Sequence, residues 1–537
     1  MIYDVLIVGS GASAVNAAYP LVEGGLSVGM LDVGNQDQVY KGLVPTAPFL
    51  DVRKTDNQQH RYFLGDRFEG VPLNQLRVGP QLTPPRQYIT RGTNQWTPVE
   101  STTFSPMSSL ALGGMASGWS AGAFPYTQED LNQFPISYQD LFPFYQRVAE
   151  RIGISGEEDD LSPMIGELNG MLPPLDLDEN GKGIFKKYLK GKKVSNGMGF
   201  YMGKTRLAAL SQAYRNRGPE QYLDMAFWGD SDQSVWRPAY TLQEIQTQSN
   251  FKYLRPFLVH SFKEGKDGVT EVTSKNIETN EIQSHHTHKL VLGAGVLGTT
   301  RIVLRSLNQF GVRVPFVCNP YTYYPMINFN MFGKEPSKRT HSLAQLTVLY
   351  RPPSGGEPLI YGRVHSYRSL LNFKVIKEMP LPYREAMRVM KILVPNLAIL
   401  ALDHEDHPNS EKFCMLHPGS AESPDRMQIV YSLSDEVRKK QLKFEKVILS
   451  HFRRLGCMAL KRVWPGYGTS LHYGGTLPMT HEEKELSTTA DGLLRGTQSV
   501  YIVDSSGFPY LPAKAMTFTM MANADRIGEL IKKEFNR

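Results

Sequence analysis

The chain has 537 residues, 41% of them hydrophobic and 10% aromatic, and a formal net charge of +7. That length exceeds one compact core and predicts two interleaved domains, while no apolar run approaches the ~20 residues of a membrane span. Three widely spaced cysteines, Cys318, Cys414 and Cys457, argue against a disulfide framework or a zinc site; with no basic apolar leader before the first strand, a cytoplasmic location is expected.

The N-terminal elements are the most specific. Residues 5–8 read as a buried parallel strand, and Gly9-x-Gly11-x-x-Ala14 then opens a helix over 13–21. Gly9 suits a tight turn, Gly11 a pyrophosphate approaching the backbone, and Ala14 a helix lying close to the sheet; Ala12 and Ser13 fall in the phosphate-facing first turn. A second apolar strand, 26–31, ends in Asp32, where a carboxylate would accept a ribose hydroxyl. This is the pattern of a dinucleotide site.

Residues 36–109 form a long irregular region, read as surface excursions or a cofactor cover. The run from Leu112 to Gly122 is dense in small residues around one indole, Trp119. Ser137 is the expected N-cap of a helix through Val148 and Ile152, with Asp140 completing a capping box. Residues 155–200 read as a flexible lid or insertion. Within them, 182–193 mixes lysines with bulky apolar residues; contact with an anionic lipid surface or an acidic substrate is the alternative to a solvated face, and the solvated face is preferred.

Strands are expected at 251–259 and 269–276, and 289–295 repeats a strand entering a glycine turn before a helix over 296–304. From 316 to about 460 the texture changes to short alternating strands (343–350, 359–364, 427–433) and a long amphipathic helix over 435–455 with apolar positions Val437, Leu442, Phe444, Val447, Ile448 and Phe452. The glycine-rich style returns from Ser470. Two histidine groups have ligand-type spacing, His285-His286-x-His288 in an expected polar turn and His404 with His407 in a charged loop; a solvated role is preferred to a metal for both. No nucleic-acid motif is present.

Four motifs in order resemble the glucose–methanol–choline (GMC) family of flavin oxidoreductases: the Gly9 turn, Gly113-Gly114, Leu292-Gly293-Ala294-Gly295, and a tail running from Ser499 to Pro509 and on through Thr517-x-Thr519-Met520-Met521-Ala522. His472-x-x-Gly475-Thr476-x-x-Met479 adds a fifth segment of the same likeness. The resemblance implies an α/β fold in which an FAD-binding Rossmann-type domain (1–150, 200–315 and 465–537) is interleaved with an α+β substrate domain (316–464) on a mostly antiparallel sheet, with 151–199 as a lid or insertion. It implies FAD on Gly9, Gly11 and Asp32, with Gly113, Gly114, Met115 and Ser117 near the ring, Ala294 and Gly295 in the second glycine turn, and Asp504 and Ser505 near the pyrophosphate and ring. Gly-Gly-Met followed by Trp119 leans to the pyranose-oxidase branch. There a histidine links to the flavin; Gly118 stands in its place, so non-covalent FAD is expected.

The same resemblance assigns His472 as the base that removes a hydroxyl proton. The partner that family members carry in the tail aligns with Ala515, leaving Lys514 or Thr517, or a group from another loop, to take its role. The implied activity is hydride transfer from a CH–OH group, the substrate leaning to a carbohydrate or other polyol through Trp96, Trp119, Phe124, Tyr126, Tyr321, Tyr323 and Tyr324. The alternative is a lyase or isomerase that retains FAD and uses His472 for proton transfer. The expected partner is a small molecule.

Overall fold

The fold was established from a computed structural model, which describes residues 1–70, 83–335, 337–366, 379–420 and 423–536. The expected irregular stretch holds only short helices and the two-residue strand Val99–Glu100 where it is described, and residues 71–82 of it lie outside the described residues.

The opening strand Ile2–Val8 is apolar on both faces because it pairs in parallel on both sides, with Val28–Leu31 and with Ile282–Leu292. Phe251–Leu254 extends this sheet beyond Val28–Leu31, and Val500–Ile502 joins Ile282–Leu292 in parallel at its C-terminal end. The N-terminal part of Ile282–Leu292 pairs antiparallel with Thr270–Asn276, which pairs with Phe257–Glu264. The C-terminus thus completes the nucleotide-type sheet. Where one strand is expected at 251–259, the chain forms two, broken at Arg255-Pro256, because proline cannot donate to a ladder.

The helix Ala12–Glu23 packs on the C-terminal helix Thr517–Phe535. A Cβ at Gly528 would lie 2.4 Å from Ala17 O, so only glycine permits that approach. Tyr138–Ile152 joins them, begun by the Ser137–Asp140 capping box. Arg151 reaches Asn16 Oδ1 at 2.6 Å and Asp525 at 2.9 Å and covers the Tyr19 ring, and Arg147 bonds the other Asp525 oxygen. Three helices are tied through one buried carboxylate.

The second domain is built on a six-stranded antiparallel sheet in the order Cys457–Ala459, Tyr321–Asn328, Leu397–Asp403, Ile360–Ser366, Leu346–Tyr350, Phe200–Lys204. The helix Glu179–Gly197, which packs on this sheet, comes from the region expected to be a lid. Ile184 and Tyr188 of that helix are buried in the sheet's core, so the segment is structural rather than a cover. The sheet's last strand, Phe200–Lys204, falls in the segment expected to be part of the FAD-binding domain, yet it pairs with Leu346–Tyr350 of the substrate-side sheet. Lys182, Lys186 and Lys190 lie on the opposite face, beside Phe185 and Leu189.

The long helix forms at Asp435–Arg454. Val437 of its expected stripe is exposed, whereas Glu445 is fully buried and gathers His404, Thr322, Tyr324 and Arg462. His404 is thus one arm of a polar clamp. His407 stacks on Tyr510. The His285 cluster lies within the strand Ile282–Leu292 rather than in a turn, with His285 against Ser274 and Phe257. Among the described residues no group of three His, Cys, Asp or Glu could hold a metal, and no helix is long and apolar enough to cross a membrane.

Replacing Asp525 by Ala leaves Arg151, 3% exposed, without its buried counter-charge. A loss of about 3–5 kcal/mol is expected. Denaturant unfolding of wild type and variant measures it, with Glu529→Ala, on the exposed side of Arg147, as a mild control.

Candidate active site

A long cavity runs from the opening βα turn, past the second glycine turn, to the face of the substrate-side sheet. At one end Gly9 takes φ +95°, and a Cβ there would lie 2.6 Å from Gly293 O, so the two glycine turns touch backbone to backbone. Gly293 in turn meets Ala14, the contact the small-residue pattern anticipates. Gly114 comes in from the Leu112–Gly122 run, near enough that a Cβ would lie 3.5 Å from Gly11 Cα.

Three helices aim their N-termini into this cavity: Ala12–Glu23, Val296–Ser306 and Thr517–Phe535. None is capped by a side chain. Their free N–H groups and dipoles make the cavity positive, which suits an anionic diphosphate. Asp32 lines the same end and accepts from Ser10 and, at 2.8 Å, from Tyr253. Burial raises its carboxyl to about 6 against those donors. A narrow glycine cradle, converging helix N-termini and a buried carboxylate fit an adenine dinucleotide.

The structure brings most of the expected cofactor residues to this cavity: Gly9, Gly11, Ala12, Ser13, Asp32, Gly114, Met115, Ala294, Gly295, Asp504, Ser505 and Thr517 line it. Three expected residues act from behind. Ala14 packs on Gly293, Gly113 donates its N–H to Ser10 at 2.9 Å, and Ser117 Oγ is spent on Leu112 O at 2.6 Å. Sequence reasoning passed over the 107–111 segment, Phe257 to Val259, Tyr361 and Arg363, all of which line the cavity.

At the far end stands His472, delivered by a tight segment in which Gly466, Gly468 and Leu471 have positive φ. Leu471 at φ +63° is a non-glycine residue in the left-handed region, a conformation that persists only where surroundings enforce it. His472 Nδ1 lies 3.1 Å from Asn319 Oδ1. Asn319 Nδ2 donates to His404 O at 2.8 Å and Pro512 O at 3.0 Å, which fixes its oxygen toward the histidine. Nδ1 therefore carries the proton and Nε2 carries the lone pair. Burial lowers the imidazole's pKa to about 4, with Asp403 opposing and Arg363 reinforcing that shift.

Lys514 is not beside His472. It is 1% exposed, donates to Met164 O at 2.6 Å and pairs with Asp130, and it does not line the cavity. Ala515, Met516 and Thr517 do. A lysine ammonium buried among apolar atoms needs a carboxylate, and Asp130 supplies it on the side away from the histidine.

The family pattern described as GMC oxidoreductase matches residues 436–524. No curated protein matches the chain. In solved structures the fold recurs in pyridoxine 4-oxidase from Mesorbium loti (14% identity, TM-score 0.59, covering 98% of this chain and 99% of that one). It recurs in formate oxidase (12%, TM-score 0.60, 99% and 98%) and in an FAD-dependent oxidoreductase from Chaetomium thermophilum (14%, TM-score 0.60, 99% and 100%).

A Gly11→Val chain should fold yet lose cofactor, since space around Gly11 is open to the cavity and the nearest atom to an added Cβ is Gly293 O at 4.0 Å. Circular dichroism unchanged from wild type, with FAD content near zero, is the expected result. Full FAD occupancy would place the pyrophosphate elsewhere. Over residues 436–524 the chain is thus similar to GMC oxidoreductases, and over its whole length it shares the fold of these solved structures.

Proposed function

We propose that the protein oxidises a CH–OH group of a small molecule, with His472 as the base. The observation that carries this reading is the fixed tautomer of His472: Asn319 holds the Nδ1 proton and leaves the Nε2 lone pair for a substrate hydroxyl. FAD, when bound along the glycine turns, supplies a two-electron acceptor for the hydride.

His472 takes the hydroxyl proton at Nε2 as the C–H bond is broken, and the imidazolium formed keeps its Nδ1–H on Asn319. Because burial disfavours charge on the ring, the imidazole is neutral and receptive at every pH above about 4. Trp119 closes one wall, its indole N–H on Trp236 O at 2.8 Å and its ring edge-on to Trp236. Of the aromatics considered for a sugar platform, Trp119 lines the cavity; Phe124 and Tyr126 are fully buried core, and Tyr324 is spent on Glu445. A carbohydrate-type substrate thus retains the support of Trp119. Gly118 lines the cavity without a side chain, and no cysteine lines it among the described residues, which supports non-covalent FAD.

His472→Ala should retain FAD and slow flavin reduction by substrate about 10²–10⁴-fold, the worth of one positioned proton acceptor. Stopped-flow reduction under anaerobic conditions measures this, and an unchanged rate would remove His472 from the chemistry. In wild type the acidic limb should lie near pH 4 rather than at the 6.5 of an ordinary histidine, because the neutral form persists down to the lowered pKa. A limb near 6.5 would contradict the buried, neutral base. Acid precipitation should release intact FAD into the supernatant.

A further inference from the structure

Two arginines line the cavity among the described residues, and they differ in how their donors are spent. Arg301 uses Nη1 on Asp425 and Nη2 on Pro98 O. Among the described residues Arg363 uses only Nη2, on Asp403. Among the described residues its Nε is enclosed without an acceptor, while Nη1 has no acceptor and is not enclosed, so this nitrogen is the part of the group left to the cavity.

The strand Ile360–Ser366 sets this arrangement. Ile360 and Val364 point into the sheet's core, which turns Tyr361 and Arg363 to the other face. The guanidinium lies 5.4 Å from the Tyr361 ring and 5.9 Å from the Tyr321 ring. Asp403, completely buried, pairs with it from the neighbouring strand, opposite Tyr361 in register. The cation is thus rigid, charged and 86% withdrawn from solvent by burial that leaves its side chain 14% exposed. Beside it stands a neutral imidazole that does not compete for an anion, and Arg363 and Asp403 are the charged groups acting on that ring.

We propose that Arg363 anchors a carboxylate of the substrate next to His472, so that the alcohol oxidised in this cavity is a hydroxy acid. This deepens the assignment of His472 and rests on it for the word "oxidised", though not for the anchor. A planar guanidinium with one arm held by protein and another open recognises a carboxylate oxygen through a charge-assisted hydrogen bond. Asp403 balances the arginine's charge through Nη2 without filling that position.

The test uses the FAD-loaded full chain, titrated with acetate and with its neutral isostere acetamide, reading the flavin's visible spectrum and the thermal midpoint. Acetate should perturb both and acetamide neither. The double variant Arg363→Met/Asp403→Asn removes both buried charges together and should weaken acetate about tenfold to a hundredfold. If that variant does not fold, the acetate–acetamide comparison in wild type decides alone. Equal binding of the two probes, or unchanged acetate affinity in a folded variant, overturns the anchor. Anaerobic mixing with glycolate, lactate and the corresponding neutral diols separates the two readings. Acetate binding that depends on Arg363 with no flavin reduction by any alcohol leaves the anchor and removes the oxidation. Neutral diols reducing the flavin as fast as the hydroxy acids, with and without Arg363, leaves the oxidation and removes the anchor.

Discussion

The backbone contact between Gly9 and Gly293 is the constraint on which the rest of the site depends. A methyl group at Gly9 would meet the Gly293 carbonyl at 2.6 Å, so the first and second glycine turns hold their spacing only because neither carries a side chain there. That spacing lets Ala12–Glu23 and Val296–Ser306 begin side by side at the same cavity. The C-terminal helix is brought to the same place by the contact of Gly528 against Ala17, and is locked by Asp525 between Arg147 and Arg151. Three uncapped helix ends meeting in one cavity would be unstable without an anionic occupant or water, because each leaves backbone donors unsatisfied.

The far end of the cavity obeys a different logic. It is built from loops and a sheet that arrive from opposite ends of the sequence: His472 from a strained turn, Asn319 from the segment before Tyr321–Asn328, and Arg363 from a central strand. What unites them is desolvation. The same burial that pushes the His472 pKa to about 4 makes the Arg363–Asp403 pair necessary, since an isolated guanidinium could not be kept so far from water. Asp403 opposes the arginine's effect on the imidazole, and burial is the larger cause that keeps the ring neutral.

Much of the nucleotide-type half was legible because its residues are dictated by backbone contacts that repeat a spacing. Gly9, Gly11, Ala14 and Asp32 follow from one strand, one turn and one helix, and the capping box at Ser137 is equally local. The misread elements are those whose meaning depends on partners far away in sequence. Residues 155–200 look charged and glycine-rich, yet Ile184 and Tyr188 at helical spacing bury against a sheet that is not contiguous with them. Glu445 sits on a helix crowded with lysines and reads as one more solvated charge, although four side chains from other elements converge on it. Lys514 adjoins Ala515 in sequence, but its ammonium is held by Asp130 and Met164 O while Ala515 lines the cavity.

Arg363 shows why the substrate end resists sequence reading. In the strand Ile360–Ser366 the alternation of Ile360, Gly362 and Val364 with Tyr361 and Arg363 is the pattern of any half-buried antiparallel strand, with the arginine on the wet face. Nothing in that pattern says that the second face roofs a cavity instead of meeting solvent. The distinction comes from the glycine-rich tail, whose His472 and Ala515 line the same cavity as Tyr361 and Arg363. A residue that would be worth little at a surface acquires chemical weight when its solvent is replaced by a neutral imidazole, two tyrosine rings and one buried carboxylate. The cavity is therefore walled on one side by the glycine turns and on the other by the substrate-side sheet, where no motif marks Tyr361 and Arg363.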